Sequence, residues 1–287
     1  MPDGQPAMIN YPGDRRVAAS FSFDVDAESA VLFGAPQNAQ RMSLMSHQAY
    51  GPLTGVPRIL DILERHRVTA TFFVPGVTAL RYPETVKAIV GAGHEIGVHG
   101  YLHEELPSLS PAERKDTLLR SIGVIERASG QRPTAHRAPM WEMTWDYPEL
   151  LAQEGFLYDS SLMDSDHPYE LATSEGSLVE LPLHWGLDDW EQYCYLPGVS
   201  GTGYIAEPDV AARLWRSELE GMRAFGGLWI LTNHPFLSGR PGRSLALDRL
   251  IGEVTAMEDV WTASLGQIAQ HVRSLGLTPR KVSEFEG

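Results

Sequence analysis

Two histidines four residues apart, His99 and His103, lie in the run Gly-His-Glu-Ile-Gly-Val-His-Gly-Tyr-Leu-His-Glu from Gly93 to Glu104. On a helical turn, two imidazoles at that spacing share a face and can grip one divalent cation. Upstream, the apolar pattern of Phe21-Ser-Phe stops at Asp24, Asp26 and Glu28. A carboxylate joined to two histidines makes a facial metal site with positions left open for water and substrate. The bland alternative is a pair of packing histidines and an aspartate that satisfies backbone donors at a strand end. Farther along stand Arg137 and, before Pro235, His234. Either alone would pass as a surface ion pair or a satisfied loop residue.

The elements that would position these groups alternate between short apolar runs and longer segments of helical period. Strand-like runs fall at Val17 to Phe23, Thr69 to Val74, His94 to His99, Thr134 to Arg137, Phe156 to Asp159, Leu178 to Leu183 and Leu228 to Thr232. Helical patterns occupy Val56 to His66, Pro83 to Gly91, Pro111 to Ala128, Tyr147 to Glu154 and Pro208 to Phe225, with two more after Arg243. This succession predicts an α/β fold with parallel strands. The third helix carries Ser110 as its cap, Pro111 at its first position, Glu113 to complete a capping box and Gly130 beyond its end. The polar candidates follow the strands: Asp24 and Asp26 the first, His99 and His103 the third, Arg137 the fourth, His234 the seventh. In a closed or nearly closed parallel barrel they share one mouth. Ser29 to Gly55 and Ser160 to Ser177 read as long irregular loops, the kind that serve as lids or interface arms.

Composition narrows the partners. The chain has 287 residues, enough for a full core, and no composition break, so it reads as a single domain over 1–287 with its motifs within 17–235 and terminal helices within 243–275. Lys plus Arg number 23 against 37 Asp plus Glu, a net charge of −14 that repels a phosphate backbone. Nucleic acid is not expected as a partner. No stretch approaches the roughly 20 apolar residues that span a bilayer, so no membrane partner is expected. Met1 to Asn10 lacks a basic n-region and an apolar h-region, and Cys194 is the single cysteine. A cytoplasmic location is the simplest expectation, and it weighs against a large extracellular polymer.

Phe23-Asp-Val-Asp26, Thr71-Phe-Phe-Val-Pro75, His99-Gly-Tyr-Leu-His103, Arg137-Ala-Pro139 and Leu231-Thr-Asn-His-Pro235 occur in an order that resembles the polysaccharide deacetylases of the NodB-homology type. Within that superfamily the chain is most similar to the branch holding peptidoglycan deacetylases, cyclic imide hydrolases and allantoinase-like proteins. Ser43-Leu-Met-Ser46, Tyr158-Asp-Ser-Ser161 and Leu181-Pro-Leu-His-Trp185 agree as well. The resemblance implies a distorted (β/α) barrel with fewer than eight regular units, about seven, and a homo-oligomer, tetramer or dimer. It implies Asp26, His99 and His103 as metal ligands, Asp24 as general base, Arg137 as the residue orienting that base, and His234 as general acid. Zinc is the usual metal for such a donor set.

The chain departs from the family pattern in places. Val25 separates aspartates that are adjacent in many members, which leaves the assignment of base and ligand between Asp24 and Asp26 open, with Glu28 as an alternative to either. Asp159, Asp164 and Asp166 are candidates for bracing Arg137. Among nearby aromatics, Trp141, Trp185 and Tyr101 are the candidates for substrate contact, although large aromatics beside such strands are often core. His184 and Cys194 read as packed residues.

The leading expectation is a metal-dependent amidohydrolase that removes acetyl from an N-acetylated amino sugar or a peptidoglycan-type glycan. One alternative is a hydrolase of small cyclic amides, imides or ureides. Another is a metal- or saccharide-binding protein without activity.

Overall fold

A computed structural model describes residues 9–201 and 203–281. Residues 1–8, to which the reading of the N-terminal stretch in large part refers, lie outside the described residues. Among the described residues there are eleven strands: β1 (Val17–Asp24), β2 (Thr71–Val74), β3 (Glu95–Val98), β4 (Ala135–His136), β5 (Tyr158–Asp159), β6 (Tyr169–Thr173), β7 (Gly176–Glu180), β8 (Tyr195–Leu196), β9 (Ser200–Gly201), β10 (Gly227–Asn233) and β11 (Val260–Thr262). The seven apolar runs of the sequence become β1, β2, β3, β4, β5, β7 and β10. They pair in parallel in the order β10-β1-β2-β3-β4-β5-β7. β6 adds an antiparallel partner beyond β7, and β11 lies beside the start of β1.

All residues of β1 and β10 are buried, as expected of parallel strands covered on both faces. Alternate residues Val17, Ala19, Phe21 and Phe23 of β1 join a core built with surrounding helices, whereas Ala18 belongs to a second cluster with Phe73, Ala135, Tyr158, Val179, Leu228 and Ile230. These residues come from six strands that span the parallel ladder from β10 at one end to β7 at the other, so the sheet must curl around them. Gly97 on β3 shows how tight that inner face is: a Cβ there would lie 2.6 Å from the Phe73 ring and 3.0 Å from the Cβ of Ala135. The strand ladder does not run on from β7 to β10 among the described residues; Asp188 meets Thr232 in an isolated parallel bridge instead. The fold is α/β, and closure toward a barrel consists of that bridge.

Helices α1 (Ser29–Leu32), α2 (Met42–Tyr50), α3 (Val56–His66), α4 (Gly76–Arg81), α5 (Pro83–Gly91), α6 (Pro111–Ser129), α7 (Tyr147–Gln153), α8 (Trp190–Tyr193), α9 (Pro208–Phe225), α10 (Pro235–Ser238), α11 (Pro241–Thr255) and α12 (Leu265–Ser274) complete the chain. α6 begins with the expected capping box, in which the Ser110 hydroxyl accepts from the Glu113 N–H and the Glu113 carboxylate accepts from the Ser110 N–H at 2.8 Å. Gly130 ends it at φ 78°.

Two expected loops are corrected. Residues 29–55 form α1, a 3-10 turn at Pro36–Gln40, α2 and a wide turn at Gly51–Gly55 that runs into α3. Pro36 and Pro52 each sit in the first turn of an element, where a missing N–H costs little. Residues 160–177 contain β6 and the start of its hairpin with β7. No described helix is long and apolar enough to cross a membrane.

Candidate active site

The C-terminal ends of the parallel strands bring the sequence candidates together. Asp24 ends β1, and Asp26 follows it; the Val25 N–H bonds to the Phe73 carbonyl of β2 at 2.8 Å, extending the strand pairing to the brink of the site. The Asp26 carbonyl accepts from the Ser29 hydroxyl at 2.6 Å and from the Thr78 hydroxyl at 2.7 Å. The Asp26 carboxylate is left for the site. Its two oxygens are buried and have no hydrogen-bond partner. His99 Nε2 lies 3.5 Å from Oδ1, and His103 Nε2 lies 3.6 Å from Oδ2.

The two histidines are not on a helical turn, as their spacing suggested. They lie on the loop after β3, where Gly100 takes φ 68° and His103 takes φ 59°. Glu104, which sequence reasoning passed over, holds this loop: its carboxylate accepts from the Tyr101 and Leu102 N–H groups, each at 2.8 Å. His99 Nδ1 sits 2.9 Å from the Arg137 carbonyl oxygen, so Nδ1 donates and the Nε2 lone pair faces Asp26. Two acceptors 3.5 Å apart, buried with no proton donor between them, repel unless a cation joins them. Asp26, His99 and His103 therefore fit a divalent metal, and their ligand atoms lie within 4.8 Å of one another.

Asp24 is held differently. Its Oδ1 accepts from Arg137 Nη1 at 2.8 Å, and its Oδ2 lies on the side of His99 Nε2, at 3.8 Å. Burial alone would raise this carboxyl, but Arg137, with the protonated His234, holds it below the usual carboxylate range. Arg137 is fully buried and braced by Ser160 through the carbonyl at 3.1 Å and the hydroxyl at 3.2 Å, by Ser22 at 3.0 Å and by Thr232 at 3.2 Å. None of the three proposed aspartates braces it. Asp159 receives His136 Nδ1 at 2.5 Å, Asp164 receives the Tyr169 hydroxyl at 2.6 Å, and Asp166 offers its carbonyl to Leu228.

His234 follows β10 with Nε2 3.5 Å from Asp26 Oδ2. Its Nδ1 lies 2.7 Å from Asp189 Oδ1, which also accepts the His234 backbone N–H, and 3.4 Å from Asp188. The Ser238 hydroxyl fixes the other Asp189 oxygen. Burial would lower the imidazole, but Asp188 and Asp189 raise it well above the ordinary histidine range, so it is stored protonated. Sequence reading missed this aspartate pair; its only trace is the run Asp188-Asp189-Trp190, whose partner lies 45 residues away.

A cavity of about 870 Å³ opens in front of these groups, lined among others by Trp141, Trp185, Trp190, Phe33 and Val199. Trp141 and Trp185 stack at 4.2 Å with 14° between their planes. Met140 and Trp141 both take positive φ, 56° and 54°, a strained turn that presents the indole at the cavity wall. Tyr101 is not brought to the cavity: its ring lies under the Arg120 guanidinium at 3.9 Å. Glu28 also turns away from the cavity, accepting from the Tyr82 hydroxyl at 2.6 Å beside Arg81. His184 lies against its own turn and Glu218, and Cys194 is buried with its thiol pushed up to about 12 by burial.

Behind Arg137 a second polar layer supports the site. Glu180 Oε1 accepts the Ser161 and Leu162 N–H groups at 3.1 and 2.9 Å, while Glu180 Oε2 and Asp159 Oδ2 are buried with no hydrogen-bond partner. Burial pushes Asp159 up to about 7 and Glu180 well above its usual range, so the pair retains a proton. A raised carboxyl contributes stability at low pH that is lost as pH rises from the ordinary carboxylate range through the folded value. Glu180→Gln keeps the carbonyl for Ser161 and Leu162 and supplies a permanent donor to Asp159. Between pH 4.5 and 8 the variant should gain roughly 3 kcal/mol on the wild type in urea melts. Parallel pH profiles for the two proteins would disprove the shared proton.

The family profile for polysaccharide deacetylases matches residues 45–158. A crystal structure from Mycobacterium smegmatis, described only by family as a polysaccharide deacetylase, is 56% identical over 99% of both chains, with a TM-score of 0.97. The peptidoglycan deacetylase of Helicobacter pylori is 28% identical over 93% of this chain and 99% of its own. The Puue allantoinase structure is 25% identical over 94% of both chains, with a TM-score of 0.80. Fold, site and likenesses define a hydrolase of carbon-nitrogen bonds other than peptide bonds. The chain belongs to the polysaccharide deacetylase family.

Proposed function

We propose that the protein is a metal-dependent amidohydrolase that removes the acetyl group from an N-acetylated amino sugar, free or within a glycan, with residues 1–287 acting as one catalytic domain. The observation that carries this reading is the Asp26 carboxylate, buried with both oxygens unpartnered and each facing an imidazole Nε2. Asp26, His99 and His103 would hold the metal, for which zinc suits the donor set. A divalent cation there would supply Lewis acidity toward the amide carbonyl and toward the attacking water. Asp24 has Oδ1 committed to Arg137, so Oδ2 accepts the proton of the water as it attacks. As the tetrahedral adduct collapses, His234 Nε2 delivers its proton to the leaving nitrogen, because an amide anion is too poor a leaving group to depart unaided. Asp189 anchors the opposite nitrogen and so aims that proton. Trp185, backed by the buried Trp141 on which it stacks, offers its outer face to a sugar ring. A cytoplasmic setting and a homo-oligomeric state belong to the same reading.

A second reading, opening of a small cyclic amide, is favoured by the likeness to the Puue allantoinase. The test is hydrolysis of N-acetylated chito-oligosaccharides, succinimide and allantoin by the zinc-loaded protein. Acetate release from the oligosaccharide supports the first reading. Turnover of a cyclic compound alone replaces it with the second, and no turnover that Asp24→Asn or His234→Ala alters would leave only a binding protein.

A further inference from the structure

The charge on the cavity wall says which amides can enter. Among the described residues, no lysine or arginine lines the cavity, and Arg137 is fully buried behind Asp24. Its wall instead carries Glu105 and Glu191, both exposed, together with Trp185 and Trp190. Trp185 keeps 41% of its surface open. The inner charges are largely matched among themselves: Asp24 faces Arg137, Asp189 faces His234, and Asp26 is a ligand to the metal in the reading above. Glu105 and Glu191 have no ion-pair partner among the described residues, and the whole chain carries a net charge of −14.

We propose that this cavity selects neutral and cationic amides, rejects anionic ones, and prefers an acetylated amine that carries a second, protonated amino group, such as a partly deacetylated amino-sugar oligomer. An ammonium group at the cavity meets carboxylates and indole faces, both of which attract it. A carboxylate on any part of the ligand that lies away from the metal and His234 meets Glu105, Glu191 and the indoles, with no lysine or arginine to replace its hydration. The preference has a consequence for the chemistry: each acetyl group removed leaves an amine that protonates, and the product of one cleavage becomes a better ligand for the next. The proposal rests on the hydrolase reading for that consequence, but the selection itself is a matter of binding.

Binding can be read without turnover, by the fluorescence of the tryptophans that line the cavity. The zinc-loaded protein would be titrated with triacetylated chitotriose, the same trisaccharide with one acetyl group removed, and a hyaluronan oligosaccharide, which is N-acetylated but acidic. The cationic ligand should bind about tenfold or more tightly than the acidic one at low salt, with the neutral one between. That ratio should fall several-fold at about 0.5 M salt. It should also shrink toward one in Glu105→Gln/Glu191→Gln, whose two positions are exposed and tolerate an amide. Equal affinity for the acidic ligand, or a ratio indifferent to salt and to the double variant, overturns the proposal. Charge-ordered binding with no hydrolysis of any ligand sustains it and sinks the hydrolase reading alone.

Discussion

Zinc bound at about one per chain in the wild type should be lost in His99→Ala/His103→Ala, and hydrolysis of an N-acetylated amino sugar should fall with it by about 10³-fold or more. The expectation follows from what remains after truncation. Asp26 would keep its buried carboxylate but lose two of the three donors, and one carboxylate does not hold a borderline-soft cation in competition with water. Without the cation, Asp24 has no acidified water to deprotonate, and His234 has no adduct to protonate. The variant should still fold, because both histidines sit on the loop that Glu104 pins through its backbone donors. Elemental analysis and the hydrolysis rate are read on the same preparation, with near-ultraviolet circular dichroism to report folding. Full activity in a folded, zinc-free variant would mean that these histidines bind substrate or serve packing, and the mechanism would have to be rebuilt around Asp24 and His234.

Arg137→Met should be the most destabilising single substitution at the site, costing about 3–5 kcal/mol in urea melts and lowering hydrolysis at least about 10²-fold. Arg137 is fully buried, and its guanidinium satisfies Asp24, Ser22, Thr232 and both Ser160 acceptors. Methionine fills much of the volume but abandons Asp24 as an uncompensated buried carboxylate. That is the costly half of a broken pair, since intact buried pairs differ little in stability from apolar replacements. Asp24→Asn in the same chain removes the stranded charge, so the double variant should be more stable than Arg137→Met alone, by about 2 kcal/mol. Arg137→Lys should not rescue activity, because a single ammonium cannot reach the Ser160 carbonyl and Asp24 from one stem. A double variant less stable than the single one would show that the loss comes from packing against Phe73, over which the guanidinium lies at 4.3 Å, and not from Asp24.

The helices and strands were legible wherever local chemistry decides the backbone. The Ser110 to Gly130 segment announces both of its own ends, and the seven apolar runs become seven parallel strands, because burial on both faces leaves an unbroken apolar signature. Residues 29–55 were harder, since Pro36 and Pro52 have the same sequence appearance whether they end a helix or begin one. The chemistry-bearing residues Asp24, Asp26, His99, His103, Arg137 and His234 were legible as residue types in a fixed order. The structure gathers five of them at one cavity and buries Arg137 behind Asp24.

What the sequence alone determined, then, is the set of candidate groups and the elements that carry them, because residue type and short-range pattern are properties of a few neighbouring positions. What only the tertiary structure decided is how each group is held. Asp189 reaches His234 across 45 residues and Arg137 reaches Asp24 across 113, separations that leave no periodic trace. The same is true of the rejections. Glu28 is claimed by Tyr82 over 54 residues, and Tyr101 is turned under Arg120. Burial and the charge of distant neighbours set the proton on His234 and the ionisation of Asp24, and both are created only when the sheet curls and brings the strand ends together.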